Sequence, residues 1–118
     1  MNSHQELIVW QKAMTIVEKV YEVTNKFSDA EKFNLTSQMR RSAVSIPSNI
    51  SEGHDRKTNG EFGHFLRIAY GSSAELETQI LLSNRLGMMN NGDKETLITL
   101  LTEIRKMLNK FISTVAKS

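Results

Sequence analysis

Hydrophobic residues recur at spacings of three and four in four stretches of the chain, which cover residues 10–27, 39–50, 62–86 and 97–115. This spacing is typical of amphipathic α-helices, each of which buries one stripe of side chains against a neighbouring element. Runs of alternating polar and β-branched residues bounded by turns are missing from the sequence. Because such runs are the usual signal of strands, the pattern predicts an all-α protein.

Capping and turn residues set the expected bounds of these helices at 4–27, 36–55, 59–86 and 93–116. Asp93 is expected to cap the fourth helix, and segment 28–35 is expected to be a connection holding at most a short helical turn. Three pairs have capping-box spacing near a predicted start: Ser3 with Glu6, Ser28 with Glu31, and Thr58 with Glu61.

Short connections between long helices make chain neighbours run antiparallel. The sequence therefore predicts one domain over residues 1–118, folded as an up-down-up-down four-helix bundle. Pro47 lies inside the second predicted helix, where it cannot donate a hydrogen bond to the carbonyl of Ala43. The apolar positions keep their helical phase across Pro47, so we predict a continuous helix that is kinked there.

Small, polar and charged side chains form a second stripe on the second predicted helix, and the third predicted helix carries a similar set. One interpretation is a network in which arginine pairs with carboxylates, inside the bundle or between subunits. If Arg41 and Glu52 belong to a buried network, replacing either with alanine should lower the stability of the fold. The members of this predicted network are Arg41, Ser45, Asn49, Glu52, Glu75 and Glu77.

The other interpretation of the basic residues is a contact with phosphates of nucleic acid. For arginines on the helix we favour internal pairing, whereas Arg56 and Lys57 fall in a loop and are better placed for an exposed contact. The fourth predicted helix adds further cations, which either complement the helix dipole or form a basic face. The candidate nucleic-acid-binding residues are Arg40, Arg41, Arg56, Lys57, Arg105, Lys106 and Lys110.

Composition limits the kinds of catalytic and metal site that the chain could form. The chain has 118 residues, a net charge of +2 and no cysteine, which excludes disulfides, thiolate metal sites and cysteine nucleophiles. Glu61 and His64 have the Glu-x-x-His spacing of di-iron bundles, but those sites need a second such pair, which the sequence lacks. We therefore expect no catalytic site, metal or cofactor. Neither a membrane-spanning apolar run nor a signal peptide is evident, so we expect a cytoplasmic protein.

Four motifs of the sequence identify a resemblance. The matching segments are residues 9–13, 35–53, 61–72 and 75–79, in this order along the chain. With them the chain resembles the four-helix-bundle family encoded in intervening sequences of 23S ribosomal RNA genes, also called S23 ribosomal protein-like. It is also similar to the accessory variability proteins of diversity-generating retroelements. The resemblance extends over nearly the whole chain.

The resemblance implies a bundle that assembles into a ring, a homopentamer. Because the sequence lacks an apolar run long enough to span a membrane, we expect no membrane partner. The resemblance also implies RNA or DNA, a reverse transcriptase or another protein as partners. Together with the basic residues, it leads us to expect a non-enzymatic oligomer that binds nucleic acid or a nucleoprotein through repeated basic patches. The alternative is a protein-interaction scaffold that does not bind nucleic acid; salt-dependent RNA binding would separate the two.

Overall fold

Four α-helices account for most of the chain. The computed structural model describes residues 3, 4 and 7–117. Its helices are α1 (Ile8–Thr24), α2 (Leu35–His54), α3 (Asn59–Arg85) and α4 (Asn91–Ala116), and a short 3-10 helix covers Asp29–Glu31. The described residues contain no strand. The all-α class and the four-helix bundle predicted from the sequence are therefore confirmed.

Each helix packs against two others, in the order α1, α2, α3, α4 and back to α1. Two ion pairs show the antiparallel course of α1 and α4: Lys26 Nζ lies 2.8 Å from Asp93 Oδ2, and Lys12 Nζ lies 2.6 Å from Glu103 Oε1. The resulting bundle measures 45 × 23 × 20 Å. The end of α1, the start of α2 and the start of α4 consequently meet at one end of the bundle.

The predicted start of the first helix is four residues too early. Helix α1 begins at Ile8, and the backbone of Leu7 takes the N-cap position without a capping side chain. In the predicted capping pair of Ser3 and Glu6, Glu6 lies outside the described residues. Ser28 does precede the 3-10 helix, but its side chain makes no capping hydrogen bond.

The capping pair at the start of α3 is confirmed, because Thr58 Oγ1 accepts a hydrogen bond of 3.1 Å from the Glu61 backbone N–H. The expectation that Asp93 caps α4 is wrong. Asn90 does so, its Oδ1 accepting from the Asp93 backbone N–H at 2.7 Å. The Asp93 carboxylate instead lies in the first turn, where the positive end of the helix dipole stabilises its negative charge. It also pairs with Lys26.

The core lies along the bundle axis and draws apolar side chains from all four helices. In α1 the buried face differs from the predicted stripe. Met14 and Tyr21 fit the spacing of three and four in the predicted apolar stretch 10–27, yet each is 41% exposed. The fully or nearly buried positions of α1 are Val9, Ala13, Ile16, Val20 and Val23, which are also spaced by three and four. Both stripes fit a helical period, so the spacing of the apolar residues alone does not show which stripe is buried.

Helix α2 is continuous through Pro47, as predicted, and Pro47 is buried. Helices α2 and α3 approach closely near Gly53. A methyl group added at Gly53 would lie 2.7 Å from Phe65 Cβ, closer than two carbon atoms approach in proteins. Glycine at this position therefore permits the contact between the two helices. None of the described helices is both long and apolar enough to span a membrane.

Candidate nucleic-acid interface

The loop candidates lie at the end of the bundle where α2 leads into α3. Arg56 Nη2 lies 2.6 Å from Glu52 Oε1, and its guanidinium carbon lies 4.8 Å from the centre of the Phe65 ring. Lys57 is exposed, and within residues 7–117 it has no carboxylate partner. Of these two residues, Lys57 is free to meet a phosphate, while Arg56 already has an acidic neighbour.

All the charged residues in the second half of α4 and at its C-cap are basic. Residues 104–117 include one arginine and three lysines and no acidic residue. Lys106, Lys110 and Lys117 are exposed. Lys106 and Lys110 are one turn apart on α4, and Lys117 takes the C-cap position, where its helical backbone keeps it on the same side. We call these three lysines the α4 lysine row. The helix dipole acts only within the last turn, so it does not account for Lys106 and Lys110.

Arg105 belongs to the interior of the bundle rather than to this row. Its Nε donates a hydrogen bond of 3.1 Å to Ser73 Oγ, and its Nη1 lies 3.6 Å from Glu77 Oε1. Its guanidinium carbon lies 4.6 Å from the centre of the Tyr70 ring. These contacts join α4 to α3, which makes Arg105 a structural residue.

Arg40 and Arg41 lie on different faces of α2. Arg40 is half-buried against α1: its Nε donates to Thr24 Oγ1 and its Nη2 to Asn25 Oδ1, both at 2.9 Å. It also lies over the ring of Tyr21, 4.4 Å from the centroid. All three partners are neutral, so Arg40 keeps an uncompensated positive charge. Arg41 is exposed and borders a polar groove of about 330 Å³ between α2 and α3.

Part of the predicted polar network forms between α2 and α3. The hydroxyl oxygens of Ser45 and Ser72 lie 2.8 Å apart, and Asn49 Nδ2 donates to Ser45 Oγ at 2.9 Å. One turn away, Ser42 donates to Glu75 Oε1 at 2.7 Å. The network is thus built from hydroxyl, amide and carboxylate groups.

Among the described residues of one subunit, the charged members of the predicted network do not pair with one another, although Arg41 and Glu75 line the same groove between α2 and α3. Arg41 has no ion pair among the described residues, Glu52 pairs with Arg56 at the exposed end of α2, and Glu77 approaches Arg105 of α4. The orientation of two side chains explains why this part of the predicted network does not form. On α2, the side chains of Arg41 and Glu52 extend toward solvent, so neither is buried and neither needs an internal partner.

Several side chains that matter for these sites escaped the sequence reasoning. Tyr21 and Thr24 of α1 hold Arg40, although they precede it by 19 and 16 residues. Thr36 Oγ1 and Gln79 Oε1 are buried and, within the part of the chain described, without a hydrogen-bond partner. The only sequence signal for Thr36 and Gln79 is that each is a polar residue on the buried face of a predicted helix.

Among the described residues, no group of three or more His, Asp and Glu side chains is arranged to hold a metal ion. His64, the histidine of the Glu-x-x-His spacing, is exposed and stacks edge-on against Phe65 at 5.4 Å. The fold and these sites define an antiparallel helical bundle with a polar seam and exposed basic residues.

The comparisons with known proteins assign this bundle to a family. The family model of 23S rRNA-intervening sequence proteins matches residues 5–110, and the chain belongs to that family. The fold is similar to the crystal structure of a protein of unknown function from the S23 ribosomal protein family of Bacteroides thetaiotaomicron. The TM-score is 0.81 at 25% identity, with 89% of this chain and 98% of that chain covered. No curated protein matches the chain significantly.

Proposed function

We propose that the protein is a non-enzymatic, self-associating bundle that binds nucleic acid through the α4 lysine row. The observation that carries this proposal is the absence of acidic residues from residues 104–117, together with the exposure of Lys106, Lys110 and Lys117. Among the described residues these lysines make no ion pair, and exposed cations of this kind neutralise phosphates and release counterions. Lys57, in the loop that precedes α3, extends the basic surface at the same end of the bundle.

The family supports the same proposal, since its members are described by their association with ribosomal RNA genes. One subunit has a net charge of only +2. Self-association would repeat the α4 lysine row around the assembly, and the combined field would attract a polyanion more strongly than one subunit does. We propose the ring-shaped homopentamer on the basis of the family resemblance.

A second candidate function is a protein-interaction scaffold. Exposed apolar side chains on one part of α3 favour it, because Leu82 and Leu86 are one turn apart and are 44% and 61% exposed. Leu81, beside them, is 42% exposed. Contiguous exposed apolar groups mark interaction surfaces more often than chance. The same side chains would serve a contact between subunits.

Fluorescence anisotropy at several salt concentrations tests the proposal, with a structured RNA and a duplex DNA as probes. Light scattering on the same samples gives the mass of the assembly. The variant Lys106→Ala/Lys110→Ala removes two phosphate contacts per subunit. We expect the slope of log K against log salt to fall in magnitude by about 1.4 to 1.8 for each subunit in contact. The charge-matched control, Lys19→Ala/Lys94→Ala, should keep the wild-type slope.

An unchanged slope in the lysine-row variant would remove these residues from the interface. If neither probe binds at low salt while light scattering shows a defined oligomer, the scaffold function is favoured instead.

A further inference from the structure

A second basic feature lies at the other end of the bundle, where α1 ends and α2 begins. A cleft of about 180 Å³ opens there between the two helices and the 3-10 helix. Its charged residues are Lys32, Arg40 and Asp29, so two cations face one carboxylate. Its neutral lining residues are Thr24, Asn25, Phe27, Ser28 and Thr36. The α4 lysine row is remote from this cleft, because the last turn of α4 lies at the opposite end.

The start of α2 contributes hydrogen-bond donors that have no side-chain partner. Asn34 takes the N-cap position, but its side chain makes no capping hydrogen bond. The first backbone N–H groups of a helix lack an internal acceptor, and the helix dipole adds positive potential there. Together these features favour an anion in front of a helix. Helix α2 is 20 residues long, so its dipole is fully developed.

An independent observation comes from Thr36, in the first turn of α2. Its side chain borders the cleft and the residue is only 6% exposed, yet Oγ1 has no hydrogen-bond partner in the described structure. Leaving a buried hydroxyl unpaired costs free energy that an incoming acceptor would recover. Threonines at buried helix positions often bond to a carbonyl one turn earlier, as Thr24 does to Val20 O at 2.7 Å. Thr36 does not, so its enclosed hydroxyl lies beside the cleft without an acceptor among the described residues.

Neither cation of the cleft is in an ion pair within the described residues. Arg40 bonds only to the neutral oxygens of Thr24 and Asn25, and within the described residues Lys32 makes no ion pair. The Lys32 ammonium lies 5.6 Å from the centre of the Phe33 ring. Phe33 is 85% exposed, the highest value among the large apolar residues that the structure describes. An aromatic ring held in solvent beside a cation is the arrangement on which a nucleic-acid base stacks.

We propose that this cleft binds a backbone phosphate of single-stranded nucleic acid, with a neighbouring base stacked on Phe33. The phosphate would accept hydrogen bonds from Lys32, Thr36 and the first turn of α2, and Arg40 would add charge. A free phosphate would leave Phe33 without a role. A duplex would hide the faces of its bases, so the site selects single strands. The inference rests on the proposed function and adds a second, single-strand-specific contact to it.

The test combines two probes of the full chain. Inorganic phosphate is titrated at constant ionic strength while amide NMR signals are followed, and a labelled oligouridylate is titrated in fluorescence anisotropy. In the wild type we expect phosphate to shift the amide signals of Lys32, Thr36 and Ser37. We also expect oligouridylate to bind more tightly than a duplex of the same length.

Three variants separate the parts of the cleft. Phe33→Ala should weaken oligouridylate binding about five-fold or more and leave both the phosphate shifts and duplex binding unchanged. Lys32→Ala should weaken the binding of both phosphate and oligouridylate. Thr36→Val keeps the side-chain shape and should abolish the phosphate shifts without lowering the melting temperature, since it removes an unpaired buried hydroxyl. Lys19→Ala controls for charge, and Ile8→Ala, at the other end of the bundle, controls for loss of an exposed apolar group.

Two outcomes would overturn the inference, and they differ in what they say about the proposed function. If oligouridylate binds equally to the wild type and to all three cleft variants, the cleft is not a contact site, and the α4 lysine row can still be one. If phosphate shifts the amides but no nucleic acid binds at low salt, the cleft is an anion site only. In that case the proposed nucleic-acid function fails as well.

Discussion

Ser45 of α2 and Ser72 of α3 share a hydrogen bond of 2.8 Å between their hydroxyl oxygens. Both side chains are partly buried, and Asn49 donates to the same Ser45 oxygen. Two hydroxyls can meet in this way only where small side chains let the helix backbones come close. The seam between α2 and α3 is therefore held together by small polar groups as well as by the core.

Replacing Ser45 with leucine should destabilise the bundle. The larger side chain cannot take the place of a hydroxyl that lies 2.8 Å from Ser72, so it must push against α3 or turn into the polar groove beside it. A small-to-large change of this kind costs about 1 to 3 kcal/mol. Ser45→Ala removes two hydrogen bonds, one with Ser72 and one from Asn49, and should cost about 1 to 2 kcal/mol. Urea unfolding followed by circular dichroism measures both values. Ser48→Leu, at an exposed position of the same helix, is the control and should change the unfolding free energy by less than about 0.5 kcal/mol.

A methyl group at Gly53 should also be destabilising, because it would lie 2.7 Å from Phe65 Cβ. Phe65 Cβ is fixed to the backbone of α3, so the helices themselves must separate, at a cost of about 1 to 3 kcal/mol for Gly53→Ala. Gly71→Ala is the matched control, since nothing lies within 4 Å of the added methyl group. That change should stabilise the fold by about 0.5 to 1 kcal/mol, because alanine favours a helix interior. Equal melting temperatures for the two variants would contradict the close contact.

Arg105→Ala should lower the stability of the bundle by about 1 to 3 kcal/mol. The variant loses the hydrogen bond to Ser73 and the stacking on Tyr70, and it leaves Glu77 without its cation. Lys106→Ala, at the next position, removes an exposed side chain and should be neutral for stability within about 0.5 kcal/mol. The opposite ranking in thermal unfolding would place Arg105 among the exposed cations and restore it as a candidate for nucleic-acid binding.

Arg41→Ala and Glu52→Ala should each leave the unfolding free energy within about 0.5 kcal/mol of the wild type. The sequence led to the opposite expectation, a buried network, but both side chains are exposed. Glu52 loses only an exposed ion pair with Arg56 one turn away, and such pairs contribute about 0.3 to 0.5 kcal/mol. A loss above about 2 kcal/mol for either variant would show that the residue is buried in an assembly of several subunits.

The class of fold and the positions of the helices follow from local patterns. A spacing of three and four in the apolar residues, short connections and turn residues such as Asn90-Asn91-Gly92 suffice to predict four helices within a few residues of their bounds. These signals are local because hydrogen bonds within a helix, and the caps at its ends, involve residues close together in the chain. The family motifs are equally readable, since they are runs of consecutive residues.

Tertiary structure decided which face of each helix is buried and which charged residues meet. Met14 and Tyr21 fit the helical period of α1 but are half-exposed, because α2 and α4 pack against an adjacent stripe. Arg40, Arg41 and Arg105 look alike in the sequence. One contacts α1, one is exposed and one is held by α3, according to which neighbour each meets. A contact between helices depends on how they rotate and approach one another, and no local pattern contains that information.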